Sequence, residues 1–270
     1  MAKKNNVQLN GLSIDDWLDK ETIDIQQEKA NIESTLKYDK KLVAFLDLLG
    51  ITHLIKTTND GQESEVIAQM EKIKGIVEIE SKEYIEANDM NLLHISDSFI
   101  FACAPNSLPR LLDLLSIVQM RILIECRTLL RGALEYGNVI VKDDGRQIIG
   151  PAYIDAYSSQ EHDAIYPRII ISNAVRDLIK NQFPGYSNVV MTYDRENSLD
   201  YITTYISREG NKKSIISRLK REGIFDFLLD EYKKYNLLNN PSVRRKFGWT
   251  INYFREKDVW PDGTKYNNWQ

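Results

Sequence analysis

Apolar residues recur along the chain in two periods, and the switches between them outline its elements. The run Lys41-Leu42-Val43-Ala44-Phe45-Leu46-Asp47-Leu48-Leu49-Gly50 is short, almost wholly apolar and closed by glycine, which predicts a buried strand. Over residues 63–87, Val66, Ile67, Met70, Ile73, Ile76, Val77 and Ile79 return at helical spacing and predict one amphipathic helix. Residues 90–93 and 99–102 predict two strands joined tightly at Ser96-Asp97-Ser98, a hairpin. Residues 108–130 predict a second long amphipathic helix. Residues 131–140 predict a strand with a bulge or close approach at Gly132 or Gly137. Asp143-Asp144-Gly145 reads as a turn, and Gly150-Pro151 opens a short helix through Ala156. Residues 166–172 read as a further strand and 173–180 as a helix.

The order β, α, β-β, α, β, α, β predicts an α+β domain over 38–184, with a ferredoxin-like antiparallel sheet and helices on one face. Before it, residues 1–37 are polar, with a helix-like stretch over 13–35 whose early acids Asp15, Asp16 and Glu21 suit a helix start. This segment reads as an N-terminal helical arm. After it, residues 185–270 read as an α-rich C-terminal extension with one good helix over 214–235. Trp249, Tyr253, Phe254, Trp260, Tyr266 and Trp269 give the extension an aromatic content that predicts a folded segment.

Composition narrows the function. The chain has 270 residues, 43% hydrophobic and 27% charged, which fits a soluble globular protein. Its 35 basic and 39 acidic residues leave a net charge of −4, a poor balance for general binding of nucleic-acid backbone. No run of about 18 apolar residues is present to span a membrane, and the opening MAKKNNVQLNGLS has no apolar core, so no signal peptide is expected. Cys103 and Cys126 both sit in apolar stretches and make neither a disulfide framework nor a zinc knuckle; a cytoplasmic location is expected. His53, His94 and His162 are too scattered for a histidine metal site, and no serine or cysteine nucleophile motif accompanies them. An enzyme with this inventory leans on carboxylates.

Asp47 and Asp97 are the candidates. An ionised carboxylate inside a buried strand is costly unless a cation or dense hydrogen bonding compensates it. Asp97 in Ser-Asp-Ser is by itself an ordinary turn residue. If the hairpin pairs beside the Asp47 strand, both carboxylates converge on one cation or a pair, the oxygen-rich setting that magnesium and manganese favour. A helix beginning near Thr52, just after Gly50, would present free amides to a phosphate.

These residues resemble a known family. Phe45-Leu46-Asp47-Leu48-Leu49-Gly50 is similar to the first metal motif of class III nucleotidyl cyclases, a strand ending F-x-D-[IL]-x-G. Ile95-Ser96-Asp97-Ser98 resembles their second, a hairpin carrying G-D or S-D, here 50 residues later with one long helix between. Arg131-Gly132-Ala133-Leu134 and Tyr136-Gly137-Asn138-Val139 resemble the central strand. Gly150-Pro151-Ala152-Tyr153-Ile154-Asp155-Ala156-Tyr157 resembles the later W-G-x-x-V-N-x-A segment. The wording is similar to the pyrimidine cyclases of bacterial Pycsar anti-phage systems, over about residues 40–184. The resemblance implies cyclisation of UTP or CTP with two Mn²⁺ or Mg²⁺ ions held by Asp47, Asp97 and the Leu48 carbonyl, and the β- and γ-phosphates on the amides around Gly50 and Ile51. It also implies a homodimer whose site forms where the subunits meet, and a separate effector activated by the cyclic product. No nucleic-acid or membrane partner is implied.

The family pattern is departed from in places. Leu93 stands where adenylate cyclases carry an adenine-reading Lys, and Gln147 where its partnering Asp stands. The transition-state Asn and Arg positions hold Ile154 and Ser158. Phosphoryl transfer needs a cation beyond the metals, so Arg131 is the expected substitute, with Arg168 second. Phe45 lies two residues before Asp47 on the same strand face and is expected at the ribose or base, or in the core. Tyr153 and Tyr157 are expected to wall the pocket or to pack on one another. Arg244-Arg245-Lys246 reads as a solvated face, or as a dock for the acidic arm. A catalytically inactive sensor and another palm-type nucleotidyltransferase are the alternatives.

Overall fold

The computed structural model describes residues 8–9, 12–13, 26, 37–51, 63–142, 145–193 and 196–261. The chain forms two compact units, 1–39 and 40–270. In the first, β1 (Gln8–Leu9) and β2 (Leu12–Ser13) pair antiparallel. Apart from Ser13 and Gln26, the helix expected over 13–35 lies outside the described residues.

The second unit is α+β. β3 (Asp39–Leu49), α1 (Glu63–Glu86), β4 (Met90–Ile95), β5 (Ser98–Cys103), α2 (Leu108–Cys126) and β6 (Leu129–Lys142) form its ferredoxin-like half. β7 (Gln147–Ile149), α3 (Pro151–His162), β8 (Ile169–Ile171), α4 (Asn173–Gln182), β9 (Val190–Tyr193) and β10 (Glu196–Leu199) follow. Helices α5 (Tyr201–Glu209), α6 (Lys212–Arg221), α7 (Ile224–Leu237) and α8 (Pro241–Glu256) close the chain. The strand order is β4-β5-β3-β6-β8-β10-β9, with β7 paired to β6.

β3 is interior, between β5 and β6, and this is why its sequence is continuously apolar: both its faces are covered. Leu42, Ala44, Leu46 and Leu48 point into the main core with α1, α2 and the C-terminal helices. Val43 and Phe45 point the other way, into a smaller cluster with Ile100, Ala102, Val139, Ile148, Ala152 and Ala156 beneath α3. By strand alternation Asp47 continues this second row. β6 can run close beside β3 because Gly132 carries no side chain. A Cβ there would meet the Phe45 carbonyl oxygen at 2.5 Å.

Several expected boundaries move. α2 stops at Cys126 because Arg127 turns left-handed (φ 50°, ψ 35°), so Leu129 and Leu130 belong to β6. The single helix expected over 214–235 is two, α6 and α7, parted at Gly223, whose φ of 67° suits glycine. α3 continues to His162, beyond Ala156. The α-rich extension also carries β9 and β10, and β10 pairs with β8 at Ser198↔Ile170, lengthening the sheet. Among the described residues no helix is long and apolar enough to cross a membrane.

Candidate functional site

Sheet register builds the site. β3 and β5 pair Phe45 with Ile100 and Asp47 with Ser98, which sets the hairpin tip against the C-terminal end of β3. Ser96 takes a left-handed conformation (φ 55°) to make that tip tight. The Leu48 amide then donates to the Asp97 carbonyl at 3.3 Å, binding the two acid-bearing segments backbone to backbone.

The Asp47 side chain is 17% exposed and that of Arg131, from the neighbouring β6, 21%. Arg131 Nε donates to Asp47 Oδ2 at 3.0 Å, and Gln160 Nε2, from α3, donates to the same oxygen at 3.2 Å. Burial pushes the Asp47 carboxyl above its ordinary range. The Arg131 charge and hydrogen bond oppose that push, the Asp97 charge adds to it, and Lys246 opposes it. The acid is therefore held by two donors and still disfavoured as an anion.

Two mutually repelling carboxylates with a backbone carbonyl between them at Leu48 are hard-oxygen chemistry, and a divalent cation would relieve their repulsion. The residues fit Mg²⁺ or Mn²⁺. Among the described residues no group of three or more His, Cys, Asp or Glu gathers, so water or substrate oxygens would complete the shell.

The other expected residues take distinct places. Gly50 turns the chain at φ 93°, and Ile51 opens a helix with its side chain in the main core, leaving its backbone for a ligand. The phosphate cradle expected near Thr52 lies outside the described residues. Phe45, 5% exposed, lies beneath Tyr153 and Tyr157, with ring centroids at 6.1 and 5.4 Å. The two tyrosines thus cover a core phenylalanine. Leu93 pairs with Ile100 within the hairpin sheet, and Gln147 is exposed opposite Lys142. Ile154 is 62% exposed, and Ser158 bonds to His162 on the outer side of α3. Arg168 is 2% exposed and lies 5.6 Å from the Tyr166 ring centroid, inside the protein.

The run Arg244-Arg245-Lys246 is not a uniform solvated face. Arg244 bonds Asn236 Oδ1 and Arg245 the Pro241 carbonyl, whereas Lys246 is half-buried, with Arg131 and Asp47 as its charged neighbours. Gln160 and Lys246 are the site groups that sequence reasoning missed. For Gln160 a signal existed: Ala152, Ala156 and Gln160 form the buried stripe of α3, and an amide on an otherwise small apolar stripe asks for a partner.

No protein-family model and no curated sequence matches the chain. Among solved structures it is similar to the monomeric guanylyl cyclase domain of the RhoGC fusion protein from the aquatic fungus Blastocladiella emersonii. The match has 17% identity and a TM-score of 0.47, and covers 60% of this chain and 94% of that one. It is also similar to the guanylate cyclase domain of RhGC from Catenaria anguillulae in complex with GTP (18%, TM-score 0.45, 60% and 93%). A third is the adenylyl cyclase CyaB from P. aeruginosa (17%, TM-score 0.43, 60% and 92%).

Proposed function

We propose that the chain is a class III-type nucleotidyl cyclase that converts UTP or CTP to the 3′,5′-cyclic monophosphate and pyrophosphate. The observation that carries the reading is the register that sets Asp47 and Asp97 at one end of the sheet with Arg131 against Asp47. Asp47, Asp97 and the Leu48 carbonyl would hold Mn²⁺ or Mg²⁺, which when bound acidifies the ribose 3′-hydroxyl and neutralises the leaving group. The O3′–Pα bond forms, the bond from Pα to its bridging oxygen breaks, and the hydroxyl proton passes to water. Arg131 supplies positive charge beside the reacting phosphoryl group, and Gln160 fixes the carboxylate it shares with Arg131. The Gly50 and Ile51 amides receive the β- and γ-phosphates.

A pyrimidine base is favoured because Leu93 and Gln147 stand in the adenine-reading positions of the motif. A homodimer is favoured by Ile154 and Tyr157, 62% and 45% exposed beside the Phe45 cluster, an apolar face that a second copy would cover. The cyclic product would then act on a separate effector in phage defence, a role supported by the motif resemblance alone.

The test incubates the purified protein with each of the four ribonucleoside triphosphates and Mn²⁺, beside an Asp47→Ala control. A cyclic UMP or cyclic CMP product absent from the control is expected. The second reading is a catalytically inactive nucleotide sensor, favoured by the two donors already seated on Asp47 Oδ2. Four intact triphosphates with tight nucleotide binding would establish it.

A further inference from the structure

α8 brings a cation to this site from the far end of the chain. Asn240 caps the helix by accepting the Val243 amide at 3.2 Å. Phe247 and Trp249 anchor it, at 8% and 6% exposure. The Trp249 ring stacks on Tyr166 (5.8 Å between centroids, 10° between planes), and Phe247 stacks on Tyr235 of α7 (5.9 Å, 10°). Tyr166 belongs to the segment leading into β8, and Arg131 Nη1 reaches the Ala164 carbonyl of that same segment at 3.5 Å. One short stretch of backbone therefore lies against both α8 and Arg131, and it fixes where the residue preceding Phe247 sits.

That residue is Lys246. Among the described residues no hydrogen bond or ion pair closes on its ammonium. Burial and the Arg131 charge both disfavour its protonated form, and Asp47 alone favours it. Two half-buried cations thus share one carboxylate. A divalent cation on Asp47 would take that carboxylate from both of them, leaving an electropositive pair that only a further anion satisfies.

We propose that Lys246 is a phosphate-binding residue of the active site, which with Arg131 receives the pyrophosphate end of the triphosphate. It would supply, from a C-terminal helix, positive charge that the Ile154 and Ser158 positions do not. A lysine suits this role because its ammonium follows a moving phosphate as a point charge. The inference rests on the nucleotidyl cyclase reading.

The test titrates the full chain with pyrophosphate in the presence of Mg²⁺ by calorimetry, for wild type, Lys246→Met and Lys246→Arg, and measures triphosphate turnover on the same preparations. Lys246→Met should weaken pyrophosphate binding at least about tenfold, the loss of one charge-assisted contact. Lys246→Arg should recover most of it, which a purely structural lysine would not require. Wild type that fails to bind pyrophosphate, or Lys246→Met that binds it equally well, overturns the proposal. If pyrophosphate binds in a Lys246-dependent way and no triphosphate is cyclised, the cyclase reading falls and the anion site stands.

Discussion

The closest approach between the two central strands offers a sharp test of the packing that positions Asp47. A Cβ built on Gly132 lies 2.5 Å from the Phe45 carbonyl oxygen and 2.6 Å from Leu46 Cδ2. Carbon atoms in contact settle at about 3.5–4.0 Å, so Gly132→Ala drives a methyl about 1 Å into a wholly buried leucine. The Leu46 methyl has other rotamers, but the Phe45 oxygen is backbone, and it moves only with the strand that carries Asp47. Overpacking costs about 1–3 kcal/mol, and a backbone obstacle places this substitution in the upper half of that range. The reduced freedom of the unfolded chain returns about 0.4–1 kcal/mol. The net loss is about 2 kcal/mol, or about 4–8 °C in melting temperature for a unit of this size. Gly75, inside α1, is the matched control: a Cβ there meets nothing within 4 Å. Gly75→Ala should therefore gain about 0.5–1 kcal/mol from helix propensity, the same chemical change with the opposite sign. Thermal unfolding followed by circular dichroism reads both, and Mn²⁺-dependent turnover should fall in Gly132→Ala alone. A Gly132→Ala protein that melts at or above the wild-type temperature would refute the reasoning.

Two further substitutions probe buried acids. Asp200 is 3% exposed and accepts from the Thr203 amide (3.1 Å), Thr203 Oγ1 (2.8 Å), Tyr253 Oη (2.7 Å) and Lys257 Nζ, tying the start of α5 to α8. Asp200→Ala strands those donors and should cost about 3–5 kcal/mol in urea denaturation; a loss below about 1 kcal/mol contradicts the assignment. Glu135 is raised above its ordinary value of 4.5, by burial first and by Asp155, against hydrogen bonds from Ser172, Ser159 and the Tyr136 amide. A raised folded-state value means that its contribution to stability is complete below the unfolded value and is lost as pH rises through the folded one. Glu135→Gln should then melt higher than wild type near neutrality, with the gap closing as the pH falls towards 4.5; a gap that widens in acid would exclude burial as the cause.

The sequence makes the centre of the sheet legible and its margins much less so. β3 is covered on both faces, so nothing but an apolar run can occupy it, and an acid within that run stands out. The hairpin is legible because Ser-Asp-Ser between two apolar runs leaves few other conformations. The end of α2 is not, since Leu129 and Leu130 continue the apolar pattern and the stop is made by Arg127, a residue without left-handed preference. β10 escapes for a related reason: Asn197 and Ser198 read as polar, yet Ser198 is wholly buried in the sheet. Lys246 lies inside a basic run whose local chemistry says only solvent; its role depends on a helix docked through Trp249 onto Tyr166.

The same contrast bears on why Asp47 has the partners it does. Arg131 and Gln160 both use Oδ2, and no described residue donates to Oδ1. A hydrogen bond to a charged group contributes about 1.5–3 kcal/mol, yet burial still outweighs Arg131 in setting the proton affinity of this acid. A fold selected for stability alone would place an apolar residue here, as it does at Val43 and Phe45 on the same strand face. What the chain retains instead is a carboxylate with one oxygen secured and the other open, beside a second carboxylate and two half-buried cations. Each of these charges is incompletely satisfied by its protein neighbours. A divalent cation with a triphosphate satisfies them together, because it brings to one place both the positive charge the acids need and the negative charge that Arg131 and Lys246 need.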